Sequence, residues 1–184
     1  MKVKDVILEA ASTLGIDVEG IEAYIIGDDD YYAKEAERLL DCYNLVENEL
    51  ALDYLPLYAE DELETETGRL EFAAFQYAPI RIVRVINEEG ESEKYSLFPE
   101  YLKTQPGKFK VRYSYSPERK TYDGECDYVL NVSERLVYYG ILAEYCLGEG
   151  RFEEASAWDK KYKDAITAAC KTVPCTRLKS RRWV

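Results

Sequence analysis

The spacing of apolar residues predicts helices at both ends of the chain. Near the start, apolar side chains recur at helical spacing and the pattern ends at Gly15, a residue suited to a helix C-terminus. A longer stripe follows Asp28-Asp29-Asp30, whose carboxylates suit the start of a helix. The members of this stripe are Tyr32, Ala36, Leu39, Tyr43, Val46, Leu50 and Tyr54. We expect that helix to stop at Pro56 and to expose its acidic side, which carries Glu35, Glu37, Asp41, Glu47 and Glu49.

The middle of the chain changes to the two-residue period of β-strands. From Lys108 to Tyr115 basic or polar residues alternate with Phe109, Val111, Tyr113 and Tyr115, which predicts a half-exposed strand with a basic outer face. The β-branched run Ile80 to Ile86 predicts a second strand, with Lys94 to Phe98 as its hairpin partner. The acidic run Glu60 to Glu66 is interpreted as a solvated connection.

Helical spacing returns in the last third. Ser133 is placed as an N-cap, and the stripe that follows it stops at Gly148-Glu149-Gly150. A second stripe begins at Phe152 and includes Ala155, Trp158, Tyr162, Ala165, Ile166 and Ala169. Two helices joined by so short a turn predict an antiparallel helical hairpin.

These elements predict an α+β fold that is mainly α. We expect a helical bundle, made of the long helix and the C-terminal hairpin, with a β-rich insertion and an extended C-terminal arm. The whole chain is taken as a single domain. Its helical core covers residues 1–56 and 131–173, its β insertion residues 70–130 and its arm residues 174–184.

Composition excludes several classes of chemistry. The 184 residues include no histidine, so the commonest general base and the commonest transition-metal ligand are missing. The five cysteines are scattered, lack a C-x-x-C pair and are interpreted as reduced, mostly buried thiols. No phosphate-binding glycine motif and no G-x-S-x-G motif occurs. We therefore expect no catalytic residues, no cofactor and no metal, and a protein that is not an enzyme.

Charge is distributed unevenly along the chain. Asp17 to Glu66 contains seventeen acidic and two basic residues, whereas Lys171 to Val184 contains five basic residues and no acidic one. The basic tail is interpreted either as a solvated terminus or as an arm that binds an acidic surface of a neighbouring protein. The residues of this candidate protein-interaction site are Arg177, Lys179, Arg181, Arg182 and Trp183. Tyrosine pairs such as Tyr31-Tyr32 and Tyr138-Tyr139 place one ring away from the core, as at protein interfaces.

The hairpin sequence resembles a known family. Tyr139-Gly140, Ala143-Glu144-Tyr145-Cys146 and the segment from Glu154-Ala155 to Trp158-Asp159-Lys160-Lys161-Tyr162 resemble the C-terminal hairpin of adaptor, or head completion, proteins. These proteins belong to the head-to-tail connectors of tailed bacteriophages. The order of long helix, β insertion and helical hairpin is similar to that family over most of the chain.

The resemblance implies a structural role. Copies of the chain would form a homo-oligomeric ring, commonly a dodecamer, docked on the portal protein and in contact with a stopper or tail terminator protein. Genomic DNA would pass through the ring without specific binding, because an acidic lumen repels phosphates. The arm would reach the portal or an adjacent subunit. We expect a neck protein of the virion that is assembled in the host bacterial cytoplasm without a membrane partner.

Two other functions remain open from the sequence. A phage stopper or tail-completion protein would share the same general features. An acidic inhibitor that mimics DNA would explain the charge density between Asp17 and Glu66. A metal-dependent enzyme that uses clustered carboxylates is the most distant alternative.

Overall fold

The structure is a computed structural model that describes residues 1–129 and 132–172. The described residues divide into two compact units. The helical unit contains Met1–Val46 and the described residues from Lys120 onward, and the β unit contains Glu47–Arg119. The helical unit consists mainly of α-helices, and the β unit consists mainly of strands.

The helical unit contains most of the helical residues. Within the described ranges these helices are α1 (Val3–Leu14), α2 (Val18–Ile26), α3 (Ala33–Glu49), α4 (Glu134–Gly148) and α5 (Phe152–Thr172). Helix α3 runs past the boundary of this unit and continues as a π-helical turn over Leu50–Tyr54.

Several predicted helix signals are confirmed. Helix α1 ends at Gly15, whose φ of 75° lies in the left-handed region that glycine adopts without strain. The Ser133 side chain accepts a hydrogen bond of 3.2 Å from the backbone N–H of Leu136 and so caps α4. The stripe of α3 is buried from Ala36 to Leu50. Helix α2, which begins at the N-cap Asp17, was not predicted.

One acidic residue of α3 was assigned to the wrong side. Glu47 was expected to be solvated, but its exposed fraction is 1%. Glu47 is four residues after Tyr43 and three before Leu50, and both of these are buried. Residues at this spacing share one side of a helix, so Glu47 belongs to the buried side.

The helical hairpin packs closely at a glycine. A Cβ atom at Gly140 of α4 would lie 2.7 Å from Cγ1 of Val46 in α3 and 3.0 Å from the ring of Tyr162 in α5. The buried side chains of these helices include Leu39, Tyr43, Val46, Leu136, Val137, Ile141, Ala155, Tyr162 and Ile166. Gly140 therefore lets three helices meet where a larger residue would separate them.

The β unit, all of whose residues are described, contains two antiparallel sheets of three strands each. Their orders are β1-β6-β3 and β2-β5-β4. The strands are β1 (Leu57–Thr65), β2 (Arg69–Glu71), β3 (Pro79–Asn87), β4 (Ser96–Leu97), β5 (Tyr101–Lys103) and β6 (Gly107–Tyr115), and a 3-10 turn covers Phe72–Ala74. One core joins both sheets through Leu70, Phe75, Ile82, Val85, Leu102, Phe109, Val111 and Tyr113.

The prediction of a mainly helical bundle is wrong. Helices hold 48% and strands 22% of the described residues, so the fold is of mixed α and β structure. Part of the error is that Glu60–Glu64, interpreted as part of a solvated connection, lies in strand β1. The strand was missed because its exposed acidic residues alternate with inward residues that include the small Ala59 and the charged Asp61, which weakens the apolar pattern.

The strand pairing also differs from the prediction. Strand β3 pairs with β6, not with the segment Lys94 to Phe98. Within that segment Ser96–Leu97 forms β4, which pairs with β5 in the other sheet. The alternation of β6 is confirmed for Phe109, Val111 and Tyr113, which are buried, although Ser114 is buried as well.

Candidate interaction surfaces

The predicted arm lies outside the described residues. Its candidate interaction residues, Arg177, Lys179, Arg181, Arg182 and Trp183, belong to this part of the chain. The structure therefore supplies no geometry for them. The surfaces described below come from the helical hairpin, the acidic loop before α3 and the larger sheet.

Aromatic rings and a lysine form a cluster on one side of the helical hairpin. Tyr139 of α4 stacks on Trp158 of α5, with ring centroids 5.8 Å apart and an interplanar angle of 28°. Lys161 Nζ lies 3.9 Å from the Trp158 ring centroid, a cation–π distance. Tyr138 touches the edge of Trp158, and its hydroxyl lies 2.6 Å from Thr13 Oγ1 of α1. Both tyrosines are half-buried, so this cluster ties α4 to α5 and α1 and leaves part of each ring exposed.

An apolar groove lies where the hairpin turns. Leu147 near the end of α4 is 51% exposed, and Phe152 at the start of α5 is 69% exposed. The groove has a volume of about 360 Å³ and is lined by these two side chains, Ala143, Glu144, Ala155, Ser156 and Asp159. It thus combines exposed apolar side chains with two carboxylates.

Sequence reasoning missed this groove because it placed Phe152 in the core. The periodicity of α5 is correct, since Ala155, Tyr162 and Ile166 are buried. Phe152, however, is the first residue of α5 and follows the turn. The apolar stripe of α5 therefore begins before the part of the helix whose stripe residues are buried. The sequence did contain a signal of this groove. An apolar residue, Phe152, lies in the first turn of a helix that follows a very short connection.

The larger sheet carries a ladder of opposite charges on its outer face. Strands β1 and β6 pair in a register that sets Glu60 opposite Arg112, Glu62 opposite Lys110 and Glu64 opposite Lys108. Lys110 Nζ lies 3.3 Å from Glu62 Oε1 and 3.5 Å from Glu60 Oε1, and Lys108 Nζ lies 3.7 Å from Glu64 Oε2. Hydrogen bonding to Glu62 and the charge of Glu60 raise the pKa of Lys110.

The ion-pair ladder corrects two sequence interpretations, that β6 has a basic outer face and that the acidic run Glu60 to Glu66 is a solvated connection. Lys108 and Lys110 were predicted as a basic face, but the carboxylates of the neighbouring strand offset their charge. A groove of about 570 Å³ near this end of the sheet is lined by Glu62, Glu64, Lys108, Lys110 and the turn that follows β3. Because these charges are paired, the groove carries little excess of either sign.

The acidic residues before α3 form an exposed loop. The Asp29 carboxylate accepts a hydrogen bond of 3.0 Å from the backbone N–H of Tyr31, which closes a local turn. The Tyr31 ring is 79% exposed and packs edge-on against Tyr32, with ring centroids 4.9 Å apart. This loop therefore presents three carboxylates and an aromatic ring to solvent.

Two buried thiols lack the features of reactive cysteines. Burial raises the pKa of Cys42 to about 11, and burial also raises the pKa of Cys146. A raised pKa lowers the fraction of thiolate, which is the nucleophilic and metal-binding form. Both residues are therefore best explained as parts of the helical core.

Residues 1–129 and 132–172 contain neither a cluster suited to a metal ion nor a helix suited to a membrane. Within these ranges no group of three or more cysteine, aspartate or glutamate side chains is arranged to hold a metal ion. No helix in the same ranges has the length and apolar character needed to cross a membrane.

Comparison with known proteins gives no family. No family model matches the chain, and no curated protein matches its sequence.

Proposed function

We propose that the chain is a structural adaptor subunit of the head-to-tail connector of a tailed bacteriophage. Copies would form a ring docked on the portal protein, and the ring would form part of the channel through which DNA passes. The observation that carries this proposal is the apolar groove at the hairpin turn. It lies within the segment whose sequence resembles the adaptor family.

The groove has the character of a surface that another protein covers. Leu147 and Phe152 are both more than half exposed, although α4 and α5 bury their other large apolar side chains wholly or in part. Contiguous exposed apolar side chains with a polar rim are typical of protein-binding surfaces. Aromatic residues seated in such places often contribute a large part of the binding energy.

The charge distribution supports a channel more than a DNA-mimic inhibitor. Glu60, Glu62 and Glu64 are engaged by the bases of β6, so they are not available to imitate a phosphate backbone. The formal net charge of −12 repels DNA and would allow it to slide through a ring.

The proposal can be tested with the portal protein encoded in the same genome. The full chain is mixed with purified portal rings, and particle mass and negative-stain images are recorded. We expect rings of the chain docked on the portal. A chain that stays a separate monomer, or that docks on tail-side proteins but not on the portal, contradicts the adaptor role, and the second result would support a tail-completion protein.

Variants of the groove make the test specific. We expect Leu147→Ser with Phe152→Ser to weaken docking or ring formation by about tenfold or more, because both remove apolar area from the interface. Val129→Ser is a matched control, since Val129 is 88% exposed and lies outside the groove. Equal docking of the groove variant and the control would remove the groove from the interface.

The arm is tested separately by truncation. Deleting Arg177 to Val184 removes the candidate residues Arg177, Lys179, Arg181, Arg182 and Trp183. We expect weaker assembly by a chain that still folds, because the deletion leaves helices α1 to α5 intact. Docking as tight as that of the full chain would refute the arm's role.

A further inference from the structure

Strand β3 carries a second surface, which the ion-pair ladder does not neutralise. Two β-bulges interrupt its pairing with β6, between Pro79 and Arg81 and between Ile82 and Arg84. Each bulge sets two residues of β3 against one of β6, so side chains no longer alternate strictly between the faces. The result is exposed pairs, Ile80 with Arg81 and Val83 with Arg84, separated by buried residues.

In the described part of the chain Arg81 and Arg84 lack carboxylate partners, whereas Arg112 has Glu60 opposite it in β1. Arg84 lies opposite Arg112 in the register of β3 and β6, and Arg81 lies opposite Ser114. Within the described residues neither Arg81 nor Arg84 forms an ion pair, and Arg112 lies over the Tyr58 ring at 5.1 Å from its centroid. Like charges that face each other across two strands are unfavourable unless another group compensates them.

Exposed apolar side chains accompany these arginines. Ile80 is 44% exposed, Val83 is 47% exposed and Tyr58 is 51% exposed. Basic groups without partners beside apolar side chains indicate a surface that binds an acidic partner with an apolar component. We call Arg81, Arg84, Arg112, Ile80, Val83 and Tyr58 the arginine face.

The acidic loop of the helical unit has the complementary composition. The carboxylates of Asp28 and Asp30 form no hydrogen bond or ion pair with the described residues, and both residues are exposed. Ile26, 61% exposed, and Tyr31, 79% exposed, flank the loop. The loop therefore offers what the arginine face lacks, namely carboxylates between two apolar side chains.

We infer that the arginine face of one copy of the chain binds the loop Ile26 to Tyr31 of a second copy. The two surfaces differ, so the contact is head-to-tail and each copy can join two neighbours. Head-to-tail contacts close into rings when their rotation permits. The inference deepens the proposed function and rests on it, because it assigns the contact between copies that a ring requires.

Nucleic acid is the competing partner for the arginine face. Three arginines beside a tyrosine could also bind phosphates. The chain's formal net charge of −12 opposes such binding, whereas a second copy supplies carboxylates in a matching arrangement. We therefore favour the second copy, and DNA binding becomes an outcome of the experiment.

Charge reversal on two separate chains tests the contact. One variant carries Arg81→Glu and Arg84→Glu, and the other carries Asp28→Lys and Asp30→Lys. Each alone sets like charges against each other, and we expect the concentration needed for half-assembly to rise by about tenfold or more. An equimolar mixture restores an attractive pair at every contact, so we expect assembly within about threefold of the wild type.

The mixture is decisive because rescue requires contact between different chains. Assembly is measured by particle mass with and without portal rings from the same genome, and circular dichroism checks folding. The controls are Lys94→Glu with Lys103→Glu and Glu88→Lys with Glu89→Lys, which change the same number of exposed charges elsewhere in the β unit. We expect both controls to assemble as the wild type does.

The possible results separate the inference from the proposed function. Wild-type rings together with unimpaired reversal variants, or variants that the mixture does not rescue, overturn the inference and leave the adaptor role intact. A wild type that associates neither with itself nor with the portal overturns both. Tight binding to a DNA duplex that is lost in the Arg81→Glu and Arg84→Glu variant, with assembly unchanged, also overturns the inference.

Discussion

The β unit and the helical unit treat buried tyrosine hydroxyls differently. In the β unit Tyr113 donates a hydrogen bond of 2.8 Å to Asp61 and accepts one of 3.3 Å from the backbone N–H of Tyr77. In the helical unit the buried hydroxyl of Tyr122 has no hydrogen-bond partner among the described residues, and its ring meets the edge of Tyr24 at 6.2 Å. The β unit thus uses the Tyr113 hydroxyl for polar contacts in its core, whereas the described part of the helical unit leaves the Tyr122 hydroxyl unused.

Close packing in the helical unit predicts the largest effect. We expect Gly140→Val to lower the free energy of unfolding by about 3 kcal/mol, because the new side chain would collide with Val46 and Tyr162. Urea unfolding followed by circular dichroism measures this change.

Gly148→Ala is the matched control for Gly140→Val. Its new Cβ would meet mainly the end of the flexible Arg38 side chain. We expect a change within about 1 kcal/mol, since alanine also favours the helix. A Gly140→Val protein as stable as this control would show that three-helix contact at Gly140 is not a determinant of stability.

The polar network of the β unit predicts the next effect. We expect Tyr113→Phe to lower the free energy of unfolding by about 1.5 kcal/mol, because it removes a donor to Asp61 and an acceptor for Tyr77. Asp61 keeps its second hydrogen bond, 2.7 Å from the backbone N–H of Gln76, so the network should not collapse. A loss below about 0.5 kcal/mol, measured by urea unfolding, would mean that the two hydrogen bonds of the Tyr113 hydroxyl do not stabilise this core.

The same contrast explains how far the sequence could predict the fold. In the helical unit the signals are local: the stripe of α3, the cap Ser133 and the end of α1 at Gly15 each depend on neighbours along the chain. The missed helix α2 buries few side chains, with Ile21 as its fully buried member, so its stripe was too weak to detect.

In the β unit the informative contacts are distant in sequence. Glu62 and Lys110 belong to one ladder but are separated by most of the unit, and nothing near Glu62 indicates its strand. Asp61 lies on the inner face because Tyr113 and the backbone of Gln76 supply its hydrogen bonds. When an inward residue of a strand is polar and its hydrogen-bond partners lie far along the chain, it interrupts the apolar alternation by which a strand is predicted.

The candidate surfaces follow the same rule. The sequence predicted the outward ring of the pair Tyr31-Tyr32 and the basic side of β6, whereas it assigned Asp28 to Asp30 to the start of a helix. It could not show that Glu62 engages Lys110 or that bulges expose Arg84 beside Val83, because both depend on pairing register. The residue types along one segment could be predicted to be exposed, whereas the net charge of a surface depends on which strands pair and could be seen only in the fold.

Alkaline pH tests the Tyr113 hydroxyl of the β unit in a second way. Burial and then the hydrogen bond to Asp61 raise the pKa of Tyr113 to about 12 from an ordinary value of 10. The folded state therefore holds this proton more tightly, so the contribution to stability is complete below pH 10 and is lost as pH rises toward 12. We expect the difference in unfolding free energy between wild type and Tyr113→Phe to shrink by about 1 kcal/mol between pH 9 and pH 11.

Urea unfolding at each pH measures that difference. Other groups that titrate in this range, such as Cys42 with its pKa of about 11, are present in both proteins and cancel in the comparison. A difference that stays constant up to pH 11 would show that the Tyr113 hydroxyl is not held in its neutral form by the fold.

The smallest expected effect belongs to Tyr122 of the helical unit. Its hydroxyl is removed from water without a compensating hydrogen bond from residues 1–129 or 132–172, so Tyr122→Phe removes a polar group that these residues do not use. We expect the free energy of unfolding to change by less than about 0.5 kcal/mol, or to rise slightly. A loss as large as that of Tyr113→Phe, measured in the same urea experiment, would mean that the helical unit also depends on a tyrosine hydroxyl. Because both substitutions delete one phenolic oxygen, their difference isolates the hydrogen bonds of Tyr113 from the burial of an aromatic ring.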